Sequence, residues 1–143
     1  TLRLLGGKLL DKTSTSASGS VTNQMGAYTL PELTANITAR YSIGPVSLQM
    51  QGRHIDGGLL NRRWVEGVDV DDNSVASSSW WNGQIAYNSE TSNGATWSVN
   101  FSVQNLFNKL PPVTPGGSTG AQGVNNQYDI YGRRYNLGVN YSF

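Results

Sequence analysis

The sequence contains no cysteine, few charged residues and no long apolar run. Charged residues make up 13% of its 143 residues, about half the usual fraction of a soluble domain. Without cysteine the chain forms neither disulfide bonds nor thiolate metal sites. The formal net charge of +1 also lacks the basic excess by which proteins bind nucleic acid, so we expect no nucleic-acid partner.

Hydrophobic residues are also scarce. They make up 37% of the chain, and no run approaches the about 20 apolar residues of a membrane-spanning helix. No signal peptide is visible and the first residue is Thr1 rather than Met, so we expect a processed or truncated piece of a longer protein. The many Gly, Ser, Thr and Asn residues suit either an extracellular all-β module or a transmembrane β-barrel, whose strands turn every second residue inward.

The C-terminal stretch, residues 133–143, has the clearest pattern. Its apolar side chains fall on every second position: Tyr135, Leu137, Val139, Tyr141 and Phe143. Period-two alternation predicts a strand with one apolar and one polar face. An exposed aromatic edge at the end of a soluble domain invites aggregation, whereas a barrel pairs its last strand with its first. The stretch therefore favours an outer-membrane barrel.

Further segments are predicted as strands. Clear alternation occurs in residues 32–43, 46–53, 80–88 and 97–104. Residues 1–10 also predict a strand, but its alternation slips near Leu4 and Leu5, which predicts a bulge at Gly6 and Gly7. Only about six strands are found in total, fewer than the eight of the smallest complete outer-membrane barrel.

The predicted connections alternate between long and short. In chain order they are 11–30, 44–45, 56–78, 89–94 and 108–131. Gly44 and Pro45 form the tight turn of a predicted hairpin. An antiparallel meander with long loops at one end and short turns at the other is the construction of outer-membrane barrels, in which the short turns are periplasmic.

The two faces of the predicted strands differ in charge. In the five clear strands the arginines, Arg40, Arg53 and Arg134, fall on the polar parity, and the only ionisable residue on the apolar parity apart from tyrosine is His54. A mid-plane Arg or Lys facing lipid costs about 2–4 kcal/mol. The absence of charge on one parity is therefore expected of a lipid-facing wall, and the amides and hydroxyls of the other parity suit a wet lumen.

Aromatic residues are predicted to form two belts. Tyr41, Tyr87, Trp97, Tyr141 and Phe143 fall at the turn end, and Trp80, Trp81 and Tyr135 fall at the loop end. Such belts bracket the apolar band of a membrane protein. The same rings would also suit the core of a soluble extracellular β-sandwich that binds a ligand or carbohydrate, which is the alternative hypothesis.

Two motifs near the C-terminus resemble a known family. They are Asn105-Leu106-Phe107-Asn108-Lys109-Leu110-Pro111-Pro112 and Tyr128-Asp129-Ile130-Tyr131-Gly132-Arg133-Arg134-Tyr135, followed by the terminal strand and Phe143. This tail resembles the C-terminal end of TonB-dependent outer-membrane receptors, which reads roughly NLFDKxPP, YDxxGRxY and a final F. Asn108 stands where Asp is commoner. Leu30-Pro31-Glu32-Leu33 and the hairpin around Gly44-Pro45 also look like this family, so the resemblance covers most of the chain.

The resemblance implies a plugged antiparallel transmembrane β-barrel of about 22 strands. It would import a scarce nutrient, such as a ferric siderophore, across the outer membrane of a Gram-negative bacterium, with its C-terminus in the periplasm. Residues 1–143 would form the final strands of this barrel, about six in number. The plug and the earlier strands would lie outside them. The implied partners are the rest of the barrel and the plug (in the same or another chain), the TonB-ExbB-ExbD system acting through the plug, and outer-membrane lipid. Neither enzymatic activity nor a cofactor is implied.

The resemblance also implies a role for the tail in assembly. Tyr135, Leu137, Val139, Tyr141 and Phe143 match the alternating signal that the barrel-assembly machinery reads. Strand addition is its physical basis, since alternate side chains of an added strand give specificity. These residues also face lipid in the predicted barrel, and the two roles are compatible.

Other chemistry is poorly supported. His54 is the only histidine and has no partners that predict a catalytic group. Asp69, Asp71, Asp72 and Asn73 offer oxygen ligands for calcium but lack the EF-hand spacing, which favours a solvated acidic turn. The segment 116–123 lacks the lysine of a phosphate-binding loop and is predicted to be a flexible loop.

Six residues are candidates for binding an anionic ligand. Arg62, Arg63 and Trp64 fall in a predicted extracellular loop, and Arg40, Arg53 and Arg134 fall on the predicted lumen wall. Their positive charge would attract a ferric siderophore or a similar anion. The alternative, which the sequence favours, is a hydrated loop and lumen arginines that bind the plug.

Overall fold

The computed structural model describes residues 1–15, 17–19, 21–23, 25–92, 94–112 and 127–143. In this part of the chain every regular element is a strand. The strands are β1 (Leu2–Lys8), β2 (Thr13–Thr15), β3 (Val21–Asn23), β4 (Leu33–Ile43), β5 (Val46–Ile55), β6 (Gly58–Leu59), β7 (Ser74–Val75), β8 (Ser78–Glu90), β9 (Thr96–Gln104) and β10 (Arg134–Ser142). Among the described residues no helix is long and apolar enough to cross a membrane. The predicted all-β class is confirmed.

One large sheet contains the long strands. Its order is β1-β4-β5-β8-β9-β10, and every neighbouring pair is antiparallel. The strands follow one another as a meander, as the predicted loop lengths indicated. β1 and β10 are the two edges and do not pair with each other, so the described residues form an open sheet rather than a closed barrel.

The strand register brings all the apolar parities onto one side of the sheet. Ile37 lies opposite Leu4 and Gly52, and the row continues through Trp81. A second row runs from Leu48 through Ile85 and Phe101 to Leu137. We call this side the apolar face. The other side, the amide face, carries mainly Ser, Thr, Asn and Gln together with four strand arginines, Arg3, Arg40, Arg53 and Arg134.

The N-terminal strand corrects one prediction. The pairing of β1 with β4 is regular through Gly6↔Ala35 and Gly7↔Thr34, so the predicted bulge is wrong. The apparent slip arises because Leu5 lies on the amide face of an edge strand, opposite Asn36, where its side chain remains exposed. Lys8 lies on the apolar face, at the loop end, where it pairs with Leu33. The apolar face therefore carries one lysine, at its rim.

Two predicted loops contain short strands. Within residues 11–30, β2 and β3 form a two-stranded sheet, and within 56–78, β6 and β7 form another. Both pairs are too short and too polar to show an alternating pattern in the sequence. The predicted loop 108–131 is described only in part, and the predicted flexible segment 116–123 lies outside the described residues.

The buried core lies at the loop end of the amide face. Ile55, Trp80 and Tyr128 form its cluster, and the rings of Trp80 and Tyr128 are 5.4 Å apart at an angle of 57°. Trp80 pairs with Arg53, which places it on the amide face, whereas Trp81 lies on the apolar face. Trp80 therefore belongs to the core and not to the predicted loop-end belt on the other side.

Two glycines on the apolar face give a matched test of packing. A Cβ at Gly52 would lie 2.8 Å from Trp81 Cζ3 and 2.9 Å from Ile37 Cγ2, whereas a Cβ at Gly83 would meet no atom within 4 Å. We expect Gly52→Ala to lower the free energy of unfolding by about 1–3 kcal/mol because the Trp81 ring must move. Gly83→Ala should be neutral or slightly stabilising. Urea unfolding of both variants in detergent micelles measures the difference, and equal effects would contradict this packing.

Candidate functional site

The large side chains of the apolar face are exposed. Leu137 is 71% exposed, Tyr141 62% and Phe101 40%, although a soluble domain normally hides such residues in its core. Among the described residues no second layer packs on this face. A contiguous apolar surface of this kind marks contact with another apolar phase or partner.

Aromatic rings gather at the turn end of the sheet. Tyr87 and Trp97 lie 5.2 Å apart between ring centroids, and Tyr141 pairs with Trp97 across the strands. Tyr141 and Phe143 are 6.2 Å apart, and Tyr41 lies near the Gly44-Pro45 turn. The structure thus brings the predicted turn-end belt to one edge of the sheet.

The predicted assembly signal is on the apolar side of the last strand. Tyr135, Leu137, Val139 and Tyr141 pair with the apolar positions of β9. These four side chains and Phe143 are all exposed, and Tyr135 stacks on Phe101 at 6.2 Å. Because β10 is an edge, its backbone is also open to pairing on one side.

Residues 105–112 form a turn built around a buried asparagine. Asn105 is 1% exposed and adopts a left-handed conformation with φ 53°. Its backbone N–H donates to Asn82 Oδ1 at 2.9 Å, its Nδ2 donates to the carbonyl of Lys109 at 2.9 Å, and its Oδ1 accepts from Lys109 N–H at 2.7 Å. The backbone N–H of Leu106 donates to the carbonyl of Trp81 at 2.7 Å and fixes the turn to β8. Phe107 is exposed, and Pro111 and Pro112 are half-buried.

The stretch 128–135 contacts the stretch 105–112. Asn108 Oδ1 accepts from the backbone N–H of Arg133 at 3.0 Å. Gly132 has φ 72°, and a Cβ there would lie 3.0 Å from the same Asn108 oxygen, so only glycine fits without strain. An aspartate at position 108, the commoner residue in the receptor pattern that this stretch resembles, would offer the same acceptor. The contacts between these two stretches therefore fix the position at which the chain enters β10.

Two of the candidate arginines share a cleft on the amide face. Arg53 and Arg134 line an open cavity of about 300 Å³ together with Trp80, Asn82, Gln104 and the segment 127–131. Arg134 Nη2 lies 3.3 Å from Asp129 Oδ1, and its guanidinium carbon lies 4.9 Å from the centre of the Tyr131 ring. Arg53 makes no ion pair with any described residue. We call this cavity the arginine cleft.

The other candidate ligand residues lie elsewhere. Arg40 donates to Gln49 Oε1 near the turn end. Arg62 donates to the carbonyl of Met25, so it ties the 56–78 connection to residues before β4. Arg63 and Trp64 are exposed in the same connection and do not line the arginine cleft. The structure therefore brings together only two of the six residues.

The acidic turn is held by its own hydrogen bonds. Asp69 Oδ2 accepts from Val65 N–H and Asp72 Oδ1 from Ser74 N–H, both at 2.8 Å. The hydrogen bonds from Ser74 lower the pKa of Asp72 below its ordinary value. A lowered pKa stabilises the folded turn at neutral pH, and this contribution is lost as the pH falls through that pKa. Among the described residues no three acidic or histidine side chains are grouped to hold a metal.

A buried amide, Asn73, and the histidine His54 lie at the loop end. Asn73 is 4% exposed, and its Nδ2 donates to the carbonyls of Asn61 at 2.8 Å and Trp64 at 3.1 Å. Asn73 thus organises the turn and is buried in it, whereas the sequence favoured a solvated acidic turn. His54 Nδ1 lies 2.8 Å from Ser79 Oγ on the apolar face. No described carboxylate is hydrogen-bonded to this His54 ring, so the pair lacks the third member of a catalytic triad.

Comparison with known proteins gives no match: no protein-family model, no curated protein and no solved structure was found to resemble the chain. Function is therefore inferred from the residues themselves.

The contact between Trp80 and Tyr128 was not predictable from the sequence pattern. Both residues were visible as aromatic, but only the folded chain brings residues so far apart into contact.

Proposed function

We propose that this chain is the C-terminal part of the β-barrel of a TonB-dependent outer-membrane receptor, which imports a scarce nutrient such as a ferric siderophore. Its strands would be the final strands of the barrel, about six out of about 22. One observation carries the proposal: the alternating apolar positions of all six sheet strands share one uncovered face, and the opposite face carries mainly amides and hydroxyls, with Leu5, Ile55 and Trp80 as its large apolar exceptions. The two receptor-like motifs near the C-terminus support it.

Energetics favour hydrocarbon as the medium against the apolar face. Removing an exposed Leu, Ile, Val or Phe side chain from water gains about 1.5–3 kcal/mol when burial is complete. The apolar face offers a row of such side chains, from Leu48 through Ile85 and Phe101 to Leu137. Lys8 and His54 are near its loop-end rim, where a long or amphipathic side chain can reach the headgroups.

The open edges fit a partial barrel. β1 and β10 present unpaired backbone groups, and a membrane allows no unpaired strand edge because each unsatisfied group costs several kcal/mol. In the proposed receptor these edges pair with the remaining strands, in the same or another chain. The barrel-assembly machinery would recognise β10 before closure, through Tyr135, Leu137, Val139, Tyr141 and Phe143.

The proposed orientation puts the turn end and the C-terminus in the periplasm and the loop end outside the cell. The amide face would then line the lumen and meet the plug, through which the TonB-ExbB-ExbD system supplies energy. The β-sandwich alternative is less well supported, because Phe101, Leu137 and Tyr141 are exposed on a single layer. A sandwich would bury them against a second sheet.

Cell fractionation tests the membrane assignment. The chain, expressed in Gram-negative cells behind a secretion signal, is expected in the outer-membrane fraction, resistant to alkaline washing and released by detergent. A secreted soluble β-module serves as the control. Soluble, monomeric chain at high concentration without detergent would contradict the proposal. Sequencing upstream of the coding region is the second test, and the expected result is further alternating strands preceded by a plug domain.

A further inference from the structure

We propose that the arginine cleft binds a carboxylate group. This inference rests on the proposed function, because it assigns a ligand chemistry to a site that would face the lumen. The cleft lies at the loop end of the amide face, where the segment 127–131 folds back over β5, β8 and β9.

Charge is the first argument. The cleft contains two arginines and one aspartate among its lining residues. Asp129 is bound to Arg134 at 3.3 Å, and the Tyr131 ring lies 4.9 Å from the same guanidinium. Arg53 has no such partner among the described residues. The cleft therefore carries one unmatched positive charge, which suits a monoanion.

Hydrogen bonding is the second argument. Trp80 Nε1 and Tyr128 Oη are buried and find no hydrogen-bond partner in the described part of the chain. A buried donor without an acceptor costs about 1–3 kcal/mol. Both residues line the cleft. Asn82 adds an amide whose oxygen already accepts from Asn105 N–H. Trp80 Nε1 and Tyr128 Oη can each donate a hydrogen bond, so a ligand that offers acceptors is favoured.

A carboxylate fits these groups best. Its two oxygens match the planar fork of a guanidinium, and its single charge matches the single unpaired arginine. The exposed Tyr131 ring offers a surface for an aromatic or apolar body attached to the carboxylate. The carboxylate has two possible sources: a transported solute, or an acidic side chain from another segment of the receptor.

Titration calorimetry of the 143-residue chain in detergent micelles tests the inference with two probes. Benzoate represents a solute, and N-acetyl-glutamate methylamide represents an acidic side chain. Benzamide is the uncharged control for benzoate. We expect a carboxylate probe to bind with a dissociation constant on the order of 1 mM, and benzamide at least tenfold more weakly. The carboxylate that binds more tightly identifies the source.

Three variants assign the binding to the cleft. Arg53→Gln should weaken binding at least tenfold, because it removes a charge-assisted hydrogen bond. Arg40→Gln, which alters an arginine of the same face outside the cleft, should leave it unchanged. Asp129→Asn should tighten binding severalfold, because it releases Arg134 from its ion pair while keeping an oxygen to accept from Tyr131 N–H. A gain of binding does not arise from misfolding.

Several results would overturn the inference. They are binding of neither probe, equal binding of benzamide and benzoate, and an unchanged affinity in Arg53→Gln. None of these would overturn the membrane assignment, since Arg53 lies on the face opposite the apolar wall. Conversely, a soluble chain that still bound benzoate through Arg53 would contradict the proposed function and leave the site intact.

Discussion

Replacing Ile85 by arginine should destabilise the chain in lipid bilayers by about 2–4 kcal/mol and prevent its insertion, because the guanidinium would enter the hydrocarbon near the membrane mid-plane. Ile85 lies in the middle of β8, between Leu48 on β5 and Phe101 on β9. Its side chain is exposed in the folded chain. In water an arginine at an exposed strand position would change the stability by less than about 0.5 kcal/mol. The large effect is therefore specific to a lipid-facing wall.

The neighbouring residue provides the control. Gln84 lies on the amide face of the same strand, opposite Gln49 and Ser102. Gln84→Arg should insert normally and lose less than about 1 kcal/mol. Urea titration of both variants folded into phosphatidylcholine vesicles measures the free energies. If Ile85→Arg folds as well as Gln84→Arg, the apolar face does not contact hydrocarbon.

Asn105→Ala should lower the free energy of unfolding by at least about 3 kcal/mol, the lower end of the sum of two losses. The first is hydrogen bonding, because the side chain binds both the backbone N–H and the carbonyl of Lys109, and each partner left unsatisfied costs about 1–3 kcal/mol if it stays buried. The second is backbone strain, because Asn105 has φ 53° and alanine adopts this conformation at a cost of about 1–2 kcal/mol.

Glycine at the same position separates the two losses. Asn105→Gly removes the hydrogen bonds but adopts a positive φ freely, so it should be about 1 kcal/mol more stable than Asn105→Ala. Unfolding in urea from detergent micelles measures both variants. If both variants are as stable as the unmodified chain, the turn after β9 does not depend on the Asn105 side chain.

The sheet was largely predictable from the sequence, for a simple physical reason. Alternation reports which residues share a face, and a one-residue shift in register would turn a strand's apolar side chains to the wrong side. The five clear strands could therefore be predicted together with their facing. The N-terminal strand was harder, because Leu5 on the amide face of an exposed edge costs little and so blurs the pattern.

The loop end was less predictable, because long-range contacts decide its structure. The contact of Tyr128 with Trp80 joins a loop to a strand far away in the chain. The six candidate ligand residues were grouped mainly by charge. In the structure Arg40 binds Gln49 near the turn end, away from Arg53, and the side chain of Arg62 binds the carbonyl of Met25. The roles of Asn105 and Asn108 were visible only as a resemblance, and hydrogen bonds now explain them.

The directions of the two edge strands constrain what can complete the sheet. β1 runs from the turn end towards the loop end, and β10 runs the opposite way, so that Thr1 bonds to Arg40 and Ser142 lies beside Thr96 in the half near the short turns. In the proposed barrel, a ring of antiparallel strands accepts only an even number of further strands between such edges. An odd number of further strands in a longer chain would rule out this closure.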